Sequence, residues 1–211
     1  MITDPDIDNY ATEHTSPFPD FMVRIAADTR ENMDAPQMLT GELQGRFLEF
    51  LAFAVGARRV LELGTYSGYS ALAMAAGMPP GGEIITCEYD HEHAEVSRRN
   101  IAESPYASMI DVREGPALET IAGLEGPFEL IFIDADKPNY PNYYEACLPM
   151  LAERGLMLLD NMLRDGDVLD LANANEGTRV LAELNDTIAA DPRVVQVLLP
   201  LRDGLTLVRR A

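Results

Sequence analysis

The 211 residues include 35 Asp or Glu against 16 Lys or Arg, a formal net charge of −19, with 47% hydrophobic and 24% charged residues. That balance suits a chain that buries a core rather than one that stays disordered. It holds no run approaching about 18 uncharged apolar residues, which excludes a membrane-spanning helix, and its charge would repel phosphate backbones unless a local basic patch intervened.

Residues 1–36 are acidic, carry Pro17, Pro19 and Pro36, and read as a peripheral segment with one helix from about Asp20 to Asn32. The acidic start, MITDPDIDNYATEH, has no apolar stretch and is not expected to act as a secretory leader. From Gly41 to Val55, Leu43, Phe47, Leu48, Leu51 and Ala54 recur at helical spacing. The pattern then changes to strands alternating with helices. Strands are expected at Arg59–Leu63, Glu83–Glu88, near Ile110–Arg113, at Phe128–Ile133 and at Gly155–Leu159. Helices are expected at Tyr69–Gly77, His91–Glu103, from about Leu118, and at Tyr143–Leu151. Asn161–Ala174 reads as a polar loop and Glu176–Ala190 as a helix. Val194–Leu199 and Leu205–Val208, flanking Asp203-Gly204, read as a terminal antiparallel pair. The whole describes one α/β domain over residues 1–211, with residues 37–211 as its core and helices on both faces of a mostly parallel sheet. Cys87 and Cys147 form no CxxC and no Cys/His cluster, so neither a disulfide framework nor a zinc site is expected, and a reducing cytoplasm suits them.

In such sheets ligands sit beyond the carboxyl ends of the strands. Polar residues do fall there: Glu62 with Gly64, Glu88, Asp134 with Asp136 and Lys137, and Asp160 with Asn161. In LELGTYSGYS the glycines are spaced G-x-x-x-G, so the dinucleotide fingerprint G-x-G-x-x-G is absent. Glu62 beside this loop would repel a phosphate and favour a cationic ligand, while Glu88, ending the second strand, is placed to hold two ribose hydroxyls. A plain glycine turn beside surface acids is the alternative.

Asp134 and Asp160 end what read as adjacent strands, so both carboxylates and the Asn161 amide oxygen can converge. Three oxygen donors suit a hard divalent cation, Mg²⁺ first and Mn²⁺ or Ca²⁺ as alternatives. Lys137 lies three residues past Asp134 and is the only lysine in a chain with fifteen arginines. An amine near a bound cation gives up its proton more readily, which suits general-base work on a hydroxyl; a surface Asp-Lys ion pair is the alternative.

Together, RVLELGTYSGYSALAMA, EGPALETI, FELIFIDADKPNYPNYY, GLMLLDN and LPLRDGLTLVRR resemble the cation-dependent class I O-methyltransferases, the caffeoyl-CoA and catechol O-methyltransferase group. The resemblance implies a Rossmann-like, seven-stranded, mostly parallel sheet with a C-terminal antiparallel strand. It implies S-adenosylmethionine at Thr40, Glu62, Gly64, Thr65, Tyr66, Ser70, Glu88, Ala117, Asp134 and Asp136. It implies a metal on Asp134, Asp160 and Asn161, Lys137 as base, and Lys137 and Asp165 toward a phenolic acceptor with vicinal hydroxyls. A homodimer is implied as well. Gln44 stands where the family commonly has an acid and Arg202 where it commonly has Gly, and Met162–Asn175 matches nothing specific. Two rival readings keep the sheet: a tRNA hydroxyuridine as acceptor, disfavoured by the charge, and a nicotinamide oxidoreductase, disfavoured by the missing fingerprint and by Glu62. His14, His91 and His93 read as surface residues, and Tyr140, Tyr143 and Tyr144 as packing residues.

Overall fold

A computed structural model describes residues 2–211. Seven strands form one sheet: β1 (Arg59–Leu63), β2 (Glu83–Glu88), β3 (Ile110–Glu114), β4 (Phe128–Ile133), β5 (Leu151–Leu159), β6 (Val194–Leu199) and β7 (Leu205–Arg210). Their order is β3-β2-β1-β4-β5-β7-β6. The first five run parallel, and β7 inserts antiparallel between β5 and β6. Among the described residues eight α-helices accompany the sheet, three before β1 and five between strands: α1 (Pro5–Glu13), α2 (Asp20–Asn32), α3 (Glu42–Val55), α4 (Tyr69–Gly77), α5 (His91–Ala102), α6 (Ala117–Ala122), α7 (Tyr140–Cys147) and α8 (Glu176–Ala190). Among the described residues no helix is long and apolar enough to cross a membrane.

Strand periodicity divides the core in two. Val60, Leu130, Phe132 and Leu158 pack on the face covered by α2, α3, α4 and α5. Leu61, Leu63, Ile131, Ile133, Met157 and Leu159 pack on the face covered by α6, α7 and α8. Successive strand residues point to opposite faces, so a central strand covered on both sides must be apolar throughout.

Three differences from the sequence reading have physical causes. The segment before residue 37 is only partly peripheral. Its helix α1, capped by the Asp4 side chain, buries nothing, whereas Phe18, Met22, Ile25 and Ala26 lie in the core. Full burial of a side chain like Met22 contributes about 1.5–3 kcal/mol, which makes α2 part of the fold's foundation. Second, β5 begins at Leu151, not Gly155; its register against β4 shifts between Phe128 and Leu130, and the charged Glu153 and Arg154 stay exposed there. Third, α7 starts at Tyr140 and ends at Cys147, and the polar loop after β5 contains a 3-10 segment, Arg164–Leu169.

The sheet aligns the strand ends residue by residue. Gly64 N donates to Cys87 O at 2.9 Å, Asp134 N to Leu63 O at 2.8 Å, and Asp160 N to Ile133 O at 3.0 Å. Gly64 has φ +98°, and a Cβ there would lie 2.0 Å from the Asp134 carbonyl oxygen. Gly64→Ala is therefore expected to cost about 3 kcal/mol or more. That corresponds to a fall in Tm of roughly 6–12 °C, which calorimetry would register.

Candidate active site

A cavity of about 1050 Å³ opens over the carboxyl ends of β1, β2, β4 and β5, at the point where the strand order reverses. It brings together Thr40, Gly64, Thr65, Tyr66, Ser70, Glu88, Ala117, Asp134, Asp136, Lys137, Asn161 and Asp165, twelve of the fourteen expected site residues. Glu62 and Asp160 lie behind its wall, both fully buried. Among the described residues six non-glycine residues have positive φ, and five of them line this cavity: Tyr66, Asn161, Arg164, Asp165 and Arg202. Backbone strain of this kind gathers where surrounding structure holds a site in place.

The loop after β1 is built around Glu88. Its Oε2 accepts from the backbone N–H of Thr65 at 3.1 Å and of Tyr66 at 2.7 Å, and its Oε1 from Asp90 N at 3.0 Å. The Tyr66 hydroxyl donates to Asp34 O at 2.6 Å. Glu88 thus shapes the loop as well as lining the cavity.

Glu62 differs from the expectation. Strand parity puts it on the same face as Val60, beneath α4, so it does not line the cavity as a standing charge. Thr86 Oγ1 donates to its Oε2 at 2.6 Å, and Oε1 has no hydrogen-bond partner. Burial away from water, with the nearby charges of Asp134 and Glu88 acting in the same sense, pushes its carboxyl from 4.5 up to about 8. A folded pKa above the unfolded one means native Glu62 binds its proton more tightly. Its contribution is full below pH 4.5 and is lost as pH rises to about 8. Glu62→Gln is expected to gain on the wild type as pH rises across that window, the difference then levelling off. Urea melts at matched pH would measure it.

Beyond β4, Lys137 is held from two sides. Its Nζ donates to Asp134 Oδ1 at 2.9 Å and to the Tyr140 hydroxyl oxygen at 2.7 Å. The Tyr140 hydroxyl in turn donates to the carbonyls at the ends of β4 and β5, Ile133 O at 3.2 Å and Asp160 O at 3.1 Å. Burial holds that hydroxyl well above its ordinary pKa, so it stays protonated. Tyr143 donates to Asp136 Oδ1 at 2.5 Å. These tyrosines pack in the core as expected, but their hydroxyls also position the site.

Beyond β5, Asp160 Oδ2 accepts from Gln44 Nε2 at 2.7 Å and Oδ1 from Asn161 N at 2.8 Å. Burial, reinforced by the charge of Asp134, raises its carboxyl pKa. Arg202 Nη1 donates to Gln44 Oε1 at 3.3 Å, and its Nη2 to Gln37 O at 2.8 Å and Leu39 O at 2.7 Å. The two residues that depart from the family pattern therefore touch each other. Asn161 Nδ2 donates to Asp203 Oδ2 at 3.2 Å, which leaves its Oδ1 as an available ligand atom. Among the described residues no group of three or more His, Cys, Asp or Glu could hold a metal; the expected set has two carboxylates and an amide.

His93 is the clearest miss. Its side chain is 15% exposed, Nε2 lies 2.8 Å from Asp34 Oδ1, and its ring meets Tyr66 edge-on at 5.0 Å on the cavity wall. Both partners come from other elements, so helix spacing alone held no sign of them. His14 and His91, by contrast, are exposed.

The strand order, with its inserted antiparallel β7, and a cavity at the switch point define a class I methyltransferase fold. The family model described as O-methyltransferase matches residues 12–211. The chain is 32% identical to "Probable caffeoyl-CoA O-methyltransferase 2" of Dictyostelium discoideum over 209 residues, covering 96% of this chain and 90% of that protein. It is 35% identical to "Catechol O-methyltransferase" of Mycobacterium tuberculosis over 198 residues, covering 92% and 90%. The SAH-bound methyltransferase PaMTH1 of Podospora anserina superposes with a TM-score of 0.90 at 31% identity, covering 98% of this chain and 94% of that one. The chain belongs to the O-methyltransferase family and is an O-methyltransferase.

Proposed function

We propose that this chain transfers a methyl group from S-adenosylmethionine to one of two vicinal hydroxyls on a small phenolic acceptor, with a divalent cation bound at the ends of β4 and β5. The observation that carries the reading is Lys137 Nζ, fixed by Asp134 and Tyr140 on the wall of the cavity whose other end is the Glu88 loop.

The donor set supports the cofactor. Glu88, Asp134 and Asp136 line the cavity. Such surroundings favour a ligand carrying a sulfonium and an ammonium over one carrying phosphates. SAH in the Podospora relative is the demethylated form of that cofactor. The oxygen donors also suit a hard cation. Asp134, Asp160 and Asn161 Oδ1 would hold it, Mg²⁺ being the first choice for all-oxygen ligation. When bound it would supply acidification and orientation of the acceptor's hydroxyls.

The chain's own residues do the rest. Lys137 takes the proton of the reacting hydroxyl at Nζ, which frees the oxygen for in-line methyl transfer. Tyr140 keeps that amine in place, Gln44 orients the Asp160 carboxylate, and Glu88 holds the loop beneath the cofactor. Fixing the two reactants in a near-attack geometry is worth roughly 7–11 kcal/mol. The exposed Phe50 and Phe53 on α3 support a homodimer, which light scattering would register.

The test is direct. S-adenosylmethionine should raise the melting temperature and NAD should not, and NMR of the product from a catechol panel should place the new methyl on oxygen. Stabilisation by NAD alone, or methyl transfer to carbon or nitrogen, would contradict the reading.

A further inference from the structure

The cavity is lined by three long cationic side chains, and two of them are spent. Lys137 is bound to Asp134 and Tyr140, and Arg202 to three oxygens of Gln37, Leu39 and Gln44. The third, Arg164, is different. Among the described residues its guanidinium makes no hydrogen bond and no ion pair, and its Nε is buried without a partner. This occurs in a chain with 35 acids to 16 bases, where an acidic partner would be easy to find. A charged donor stripped of water and left unpaired is destabilising. Arg164 is also held at φ +45°, with its backbone N–H on Asn161 O at 3.3 Å, so the loop presents it at that cost. The neighbouring acid Asp203 is occupied by Asn161 Nδ2 and by the backbone N–H of Asp165.

Its place in the cavity narrows the ligand. Arg164 follows β5 by a few residues, on the side of Asn161 and Lys137, away from the Glu88 loop. It lines the same cavity as Asn161 and Lys137. A molecule offering a hydroxyl to Lys137 in that cavity can offer another substituent to an unpaired guanidinium on the same lining. A planar fork of N–H donors pairs best with a carboxylate.

Resting on the O-methyltransferase reading above, we infer that Arg164 binds a carboxylate on the acceptor, so that the preferred substrates are aromatic acids with vicinal hydroxyls rather than neutral catechols. The same chemistry could come from the phosphates of a thioester carrier, and the assay separates the two sources.

The experiment compares 3,4-dihydroxybenzoate, its methyl ester and a coenzyme A thioester of a dihydroxycinnamate, with wild type, Arg164→Gln and Arg164→Lys. Methylation kinetics and calorimetric binding are both read. The wild type should prefer the acid over the ester at least tenfold in kcat/KM, and over the thioester as well. In Arg164→Gln the KM and Kd for the acid should rise at least tenfold, kcat and the ester's values should move less than threefold, and Arg164→Lys should recover part of the loss. Equal binding of acid and ester by the wild type, a preference that survives Arg164→Gln, or a preference for the thioester would overturn the inference. If binding discriminates but no acceptor is methylated, the carboxylate site stands and the reading of the reaction falls.

Discussion

Lys137→Ala is expected to lower turnover at least tenfold, with loss of a positioned general base typically worth about 10²–10⁴-fold. The side chain sits on the cavity wall, with Nζ at 2.9 Å from Asp134 and 2.7 Å from the Tyr140 hydroxyl, so it is aimed before any substrate arrives. Its removal should scarcely disturb the fold. The ion pair with Asp134 is partly exposed, and such pairs contribute about 1 kcal/mol or less. The Tyr140 hydroxyl keeps its carbonyl partners. Binding of S-adenosylmethionine, measured by titration calorimetry, should change less than threefold. Lys137→Arg sharpens the test, because arginine restores the charge but cannot give up its proton at working pH. Restored turnover in Lys137→Arg would show that the position needs only a cation. Wild-type turnover in Lys137→Ala would remove it from the chemistry.

Asp160→Asn is the second large effect, and it separates function from folding. The carboxylate is fully buried, faces the charge of Asp134, and accepts from Gln44 and from its neighbour's backbone. An asparagine of nearly the same shape relieves the repulsion while giving up one acceptor, so the cation-free variant should melt within a few degrees of wild type. Methyl transfer should fall at least a hundredfold, as expected when a metal's ligand set is broken. Mg²⁺ should raise the melting temperature of wild type but not of Asp160→Asn. An equal rise in both would place the cation elsewhere.

The sequence made much of this site legible because strand ends are. The strands ending at Ile133 and Leu159 each run straight into an acid, Asp134 and Asp160, while β1 runs into Gly64, and in a parallel sheet those ends share one edge. That is why DADK and DN, more than twenty residues apart, converge. The parity of Glu62 was legible too. Alternation from Val60 already sends it toward α4, and the loop that follows obscured this. What stayed hidden depends on distant packing. Nothing near Gln44 announces Asp160, 116 positions away, and nothing near Arg202 announces Gln44, 158 positions away. His93 reads as a surface residue because its partners, Asp34 and Tyr66, lie outside its helix. Helix α1 carried an Asp4 cap, Pro5 at its first turn and Ile7, Tyr10 and Ala11 at helical spacing, a signal too short to stand out from the acidic residues around it.

The most direct measurement is methyl transfer from S-adenosylmethionine to 3,4-dihydroxybenzoate by protein stripped of divalent cations, before and after Mg²⁺ is returned. Product should be scarcely detectable in the stripped enzyme, appear at full rate with Mg²⁺, and carry its methyl on a ring oxygen. Full activity in the stripped enzyme, or none after Mg²⁺ is restored, would contradict a cation held by Asp134, Asp160 and Asn161 beside Lys137.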